Sequence, residues 1–104
     1  MQKVLIDTFI VPEESKAAFL ESTRHVQQIL KTLPGFVEGF LYEKTLGDNR
    51  YNIITTAVWE NDEAIENAKK ALAIKFQKQN FNPQEIRDKF KIESERGIYK
   101  RSSY

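Results

Sequence analysis

Cysteine is absent from the 104 residues, which excludes disulfides, thiol catalysis and thiolate metal sites together. Histidine is nearly absent, so any imidazole chemistry has to run through His25. A metal site would have to be built from carboxylates, and no spacing in the chain builds one. Three prolines and four glycines leave no Pro/Gly-rich linker to divide the chain, and there is no glycine-rich phosphate loop or nucleophile motif. The length therefore predicts one domain over residues 1–104. No apolar run approaches the ~20 residues of a membrane span, and the start lacks a signal-peptide hydrophobic region. A cytoplasmic protein without a membrane partner is the expectation. Charge of one sign is also missing: sixteen Lys and Arg against fifteen Asp and Glu leave +1, which gives nucleic acid no field to follow. The short basic end at Lys100 and Arg101 is too small to change this.

Hydrophobic residues make up 40% and charged residues 30%, the composition of a folded globular chain. Lys3 to Val11 is β-branched and apolar, with Val4, Ile6, Thr8 and Ile10 alternating with Leu5, Asp7 and Phe9; the pattern predicts a strand buried on both faces. Pro12, Glu13 and Glu14 then supply a helix start, since proline pre-sets the first turn and the acids meet the positive end of the helix dipole. Phe19, Ser22, Val26, Ile29, Leu30 and Leu33 follow at helical spacing, and Pro34-Gly35 stops the helix. Phe36 to Thr45 and Tyr51 to Glu60 shift to a period near two around the turn chemistry of Gly47-Asp48-Asn49, which predicts an antiparallel hairpin. Asn61 and Asp62 offer caps to a second helix with Ala64, Ile65, Ala68, Leu72 and Phe76 on one face. Its opposite face carries Glu and Lys, including pairs such as Glu66 and Lys70, and is expected in solvent. Asn80 to Pro83 closes it. A short helix around Gln84 to Lys89 precedes a last strand marked by Ile92, Ile98 and Tyr99 and expected to be interrupted at Gly97.

The order is β-α-β-β-α-β, an α+β, ferredoxin-like arrangement with one antiparallel sheet covered on one face. The strands are apolar on both sides. Leu5 and Phe9 oppose Ile6 and Ile10, Val37 and Leu41 are expected to oppose Phe36 and Phe40, and Ile54 and Val58 oppose Ile53 and Trp59. A second layer must cover the free face, and another copy of the chain is the economical candidate, as a two-fold homodimer. A small domain gains from such cover. Whether the tail beyond Gly97, with Tyr99 and Tyr104, stays in its own subunit is open.

The stretch Leu33-Pro34-Gly35-Phe36, the hairpin, and Thr56-Ala57-Val58-Trp59-Glu60-Asn61-Asp62-Glu63-Ala64 together resemble the antibiotic biosynthesis monooxygenase family, small dimeric α/β barrels. The resemblance implies a pocket between the helices and the sheet of each subunit. Some relatives are oxygenases that work without a cofactor on phenolic, quinol or anthrone-type aromatics, and others degrade haem. In the haem-degrading relatives the first strand carries an asparagine and the second helix a tryptophan and a histidine. Asp7, Ala68 and Lys78 stand here instead, which argues against haem and for no cofactor.

Trp59 matches the strand-end tryptophan of that family and offers a flat apolar surface with one N–H donor, or else it only fills the core below the second helix. Asp7 is an acid inside an apolar strand: in a pocket it would serve as the base that deprotonates a phenol, and at an edge it would only reach water or a cation. His25 lies beside the apolar stripe of the first helix and is the second catalytic candidate, or a boundary residue. Tyr42, Thr55 and Arg87 are candidates to line or gate a cavity, or ordinary sheet and surface residues. The expected function is cofactor-independent oxygenation of a small aromatic. The alternative is a dimeric barrel that holds a small apolar molecule or regulates without turnover, since one fold hosts many functions. A dimer serving another protein through a leftover apolar patch is a third.

Overall fold

The structure, a computed structural model, describes residues 1–103; Tyr104 lies outside the described residues. Four strands form one antiparallel sheet in the order β2-β3-β1-β4, with β1 at Lys3–Ile10, β2 at Phe36–Glu43, β3 at Ile53–Trp59 and β4 at Glu93–Tyr99. This is the ferredoxin-like fold. Helices α1 (Lys16–Leu30), α2 (Asp62–Gln79) and α3 (Pro83–Lys89) complete it, and a 3-10 turn at Glu13–Ser15 leads into α1. No helix among the described residues is long and apolar enough to cross a membrane.

Local chemistry sets the boundaries. The Asn61 side chain accepts from the Ala64 N–H at 2.8 Å and caps α2, whose first turn holds Asp62 and Glu63 at the positive end of the dipole. Asn82 caps α3 in the same way through Gln84, with Pro83 in the first turn. Gly35 turns the chain into β2 at φ +84°, and a Cβ there would stand 2.5 Å from the Ala64 Cβ, so only glycine fits beneath α2. Asn52 ties β3 to the end of β1. Its Oδ1 accepts from Val11 N–H at 2.9 Å and its Nδ2 donates to Val11 C=O at 2.7 Å.

Two features depart from the sequence expectation. β2 carries a bulge between Phe36 and Glu38: Phe36 pairs with Trp59, whereas Glu38 pairs with the next residue back, Val58. One extra residue reverses the alternation beyond it. Phe36 and Leu41 therefore face the helices while Phe40 and Tyr42 face away, so the assignment of Phe36 and Phe40 to one side and Leu41 to the other does not hold. β4 also runs unbroken through Gly97, where the Tyr99 ring lies 2.6 Å from the place a Cβ would occupy and covers the gap itself.

The helix-facing side holds two apolar clusters. Phe9, Val11, Phe19, Leu20, Ile53 and Ile92 form one; Ala57, Trp59, Ile65 and Ala68 form the other. The opposite side is left uncovered by the described residues. Phe40, Tyr42, Ile54 and Tyr99 are exposed there, and the same face carries Val4, Ile6 and Val58.

Candidate active site

Register explains why the core is split in two. Asp7 pairs with Thr55 on one side and Arg96 on the other, so a polar row spans β3, β1 and β4 between the Leu5–Ala57 and Phe9–Ile53 rows, with Leu41 continuing it on β2. Apolar side chains close above and below that row, and none fills the space over it. A cavity results, bounded by the sheet below and α1 and α2 above.

It has two adjoining chambers. The inner, of about 120 Å³, is walled by Leu5, Val26, Leu30, Ala57, Trp59 and Ile65. The outer, of about 370 Å³, is walled by Phe9, Phe19, Phe76, Pro83, Ile86 and Arg87. Asp7, Thr55, Arg96, Thr23 and Lys69 line both and make the passage between them. A mostly apolar cavity with a few convergent polar groups is the usual form of a small-molecule site.

Trp59 closes the inner end. Its side chain is 2% exposed, and its ring meets Phe36 edge to face at 5.3 Å. The indole N–H is buried with no acceptor among the described residues. Buried donors are almost always paired, since an unpaired one costs about 1–3 kcal/mol. Trp59 thus packs the core and lines the cavity wall, and its N–H has no acceptor among the described residues.

Asp7 sits at the passage, its carboxylate engaged by Arg96, whose Nε donates to Oδ1 at 2.7 Å and whose second nitrogen donates to Oδ2 at 3.1 Å. The hydrogen bond from Arg96 to Asp7 raises the guanidinium pKa above its ordinary value, against a smaller opposing effect of burial. Each carboxylate oxygen keeps acceptor capacity beyond that fork. Arg87 is half-buried on the outer wall and hydrogen-bonds Gln84 Oε1 at 2.6 Å. Burial, and then the neighbouring Arg96, push its pKa down.

The structure thus brings Asp7, Trp59, Thr55 and Arg87 to one cavity. His25 is placed elsewhere: its Nε2 stands 2.8 Å from Gln79 Oε1 and its ring meets Phe81 at 4.9 Å on the exposed surface between α1 and the end of α2. Tyr42 lies on the far side of the sheet beside Phe40, a consequence of the bulge. Arg96 and Lys69 were not anticipated. Arg96 sits in a charged run of alternating sequence, and only its register against Asp7 reveals it. Among the described residues no three His, Asp or Glu side chains converge as metal ligands.

The antibiotic biosynthesis monooxygenase family model matches residues 3–75, more than half of the chain, and the chain belongs to that family. No curated protein matches the sequence. Among solved structures, the fold is similar to SnoaB, a cofactor-independent oxygenase from Streptomyces nogalater: 20% identity, TM-score 0.74, covering 99% of this chain and 95% of that one. It is similar also to an EthD family protein from Bacillus halodurans: 18% identity, TM-score 0.63, covering 98% of this chain and 100% of that one. A haem-degrading protein from Mycobacterium tuberculosis is similar over a shorter stretch: 23% identity, TM-score 0.56, covering 64% of this chain and 74% of that one. At these identities the likeness is one of fold.

Proposed function

We propose that this protein is a cofactor-independent monooxygenase that binds an electron-rich aromatic of the phenol, quinol or anthrone type in the cavity and oxygenates it there. The observation that carries the reading is the shared cavity of Asp7 and Trp59, one an acceptor for a proton and the other a buried donor without a partner. Family membership and the likeness to a cofactor-independent oxygenase support it.

For an anthrone the reaction balances as follows. Asp7 takes a proton from the methylene carbon, and the negative charge moves to the carbonyl oxygen, where the Trp59 N–H and the cationic wall stabilise it. The resulting enolate passes one electron to O2, the superoxide and substrate radical combine as a peroxide at the same carbon, and the peroxide takes back the proton held by Asp7 to become a hydroperoxide. Loss of the second hydrogen with departure of water leaves the quinone carbonyl. One O2 is consumed and one water released, and the reductant is the substrate itself. Thr55, opposite Asp7 in register, presents a hydroxyl at the passage. Arg96 already hydrogen-bonds both oxygens of Asp7, and the protein's larger share is positioning and charge stabilisation.

That same engagement favours a second reading, a binding or regulatory barrel whose ligand is held and not turned over. Oxygen uptake by metal-free protein with a panel of hydroquinones and anthrones separates the two. Saturable uptake, lost in folded Asp7→Asn, is expected. Binding without uptake above autoxidation would leave only the second reading.

The assembly belongs to the same proposal. A sheet face carrying Ile6, Phe40, Tyr42, Ile54, Val58 and Tyr99 is far more apolar than water tolerates, and a second copy packed on it as a homodimer closes the barrel.

A further inference from the structure

We propose that Arg87 makes the outer chamber a carboxylate subsite, so that the ligand is an acidic aromatic whose ring system points inward to Trp59 and whose carboxylate meets Arg87 at the mouth. The inference rests on the reading that the cavity receives an aromatic ligand. It adds which aromatic.

Charge in the wall is unbalanced. Asp7 is the one acid lining either chamber among the described residues, against Arg96, Arg87 and Lys69. Arg96 spends its fork on Asp7. Lys69 turns toward Glu66, 3.3 Å away on the exposed side of α2. Arg87 has no carboxylate within ion-pair distance among the described residues, and its hydrogen bond goes to the neutral Gln84. Asp88, next in sequence, instead accepts from Gln84 Nε2 at 2.8 Å.

A half-buried guanidinium without a counter-ion is a costly arrangement that an anion relieves. The direction of its pKa agrees, because burial and a second cation disfavour its charge by more than Asp7 and Asp88 favour it. Arginine presents a planar fork matched to a carboxylate, so one side chain sets both charge preference and orientation. The walls sort the ligand as well. Phe9, Phe19, Phe76 and Ile86 surround the outer chamber with apolar surface and leave Arg87 as its charged landmark away from the passage. The inner chamber offers an apolar end closed by Trp59. A ligand that is charged at one end and flat and apolar at the other fits both.

The lone tryptophan of the chain sits in this cavity and reports binding without turnover. Anthraquinone-2-carboxylate and 2-(hydroxymethyl)anthraquinone share a ring system and differ in charge, and their dissociation constants are measured from Trp59 quenching and checked by equilibrium dialysis. Wild type is expected to prefer the carboxylate by roughly tenfold or more. Arg87→Gln should abolish the preference, while Arg87→Lys should keep part of it. Equal affinities in wild type, or a preference that survives Arg87→Gln, would overturn the subsite; binding of neither ligand would overturn the subsite and the cavity reading together. Oxygen uptake with neutral anthrone is scored separately. Its presence without any carboxylate preference removes the subsite and leaves the oxygenase, and a preference without uptake does the reverse.

Discussion

Asp7 and Arg96 stand opposite each other on neighbouring strands and are joined at both carboxylate oxygens, 2.7 and 3.1 Å apart. The carboxylate is the shielded partner, with 16% of its side chain exposed against 58% for the arginine. Removing the arginine therefore strands a mostly buried charge, while removing the acid frees a cation that reaches water. Arg96→Gln should destabilise the protein more than Asp7→Asn, and the double-mutant cycle should give a coupling of about 1 kcal/mol or somewhat more. Urea denaturation of the four proteins measures it. A coupling near zero would mean that the pair contributes nothing to the fold.

Trp59→Phe separates packing from donation. Phenylalanine keeps most of the apolar contact with Phe36 and Ile65 and deletes an N–H that has no acceptor among the described residues. Deleting an unpaired buried donor offsets part of the cost of lost volume, so the melting temperature of the ligand-free protein should fall by only a few degrees, on the order of 1 kcal/mol. Turnover should suffer more, by roughly tenfold in kcat/KM, if the N–H serves the developing oxyanion. A variant that loses stability and no activity would return Trp59 to core packing alone.

The gain from Asn52 is local and easily isolated. Both of its side-chain hydrogen bonds go to the backbone of Val11, a residue 3% exposed. Asn52→Ala leaves a buried N–H and C=O without partners at the end of β1, and a loss of about 2 kcal/mol in global stability is expected. Asn52→Asp keeps an acceptor for the N–H but cannot donate to the carbonyl, so it should recover part of the loss. Equal stability of Asn52→Ala and wild type would show that water replaces the side chain.

Much of this was legible in the sequence, for identifiable reasons. Period-two and helical runs gave the element order, because each buried face repeats along the chain. Thr56 to Ala64 carried the strand end, the tryptophan and the Asx cap in consecutive residues, so their relationship needed no tertiary information. What escaped was set by register. The bulge at Phe36/Glu38 has no signature in the apolar pattern, and it moved Tyr42 from the cavity candidates to the opposite face. Arg96 belongs beside Asp7 only because β4 returns next to β1, 89 positions later in the chain. His25 was placed correctly beside the apolar stripe of α1, but its neighbours Gln79 and Phe81 come from the far end of α2 and its following loop.

The uncovered sheet face gives the last prediction. Its side chains come from all four strands: Phe40 on β2, Ile54 and Val58 on β3, Ile6 on β1 and Tyr99 on β4. No element of the chain itself among the described residues lies over them. A homodimer on this face places Phe40 and Ile54, 47% and 36% exposed in the single chain, inside an apolar interface. A charge at either position then costs little in a monomer and much in a dimer, because only the dimer removes it from water. Sedimentation equilibrium should find wild type at twice the chain mass, and Phe40→Glu and Ile54→Lys shifted toward a folded monomer. Oxygen uptake should fall with dimer content if the second sheet stiffens the floor of the cavity. Wild type sedimenting as a monomer at every concentration would remove the dimer.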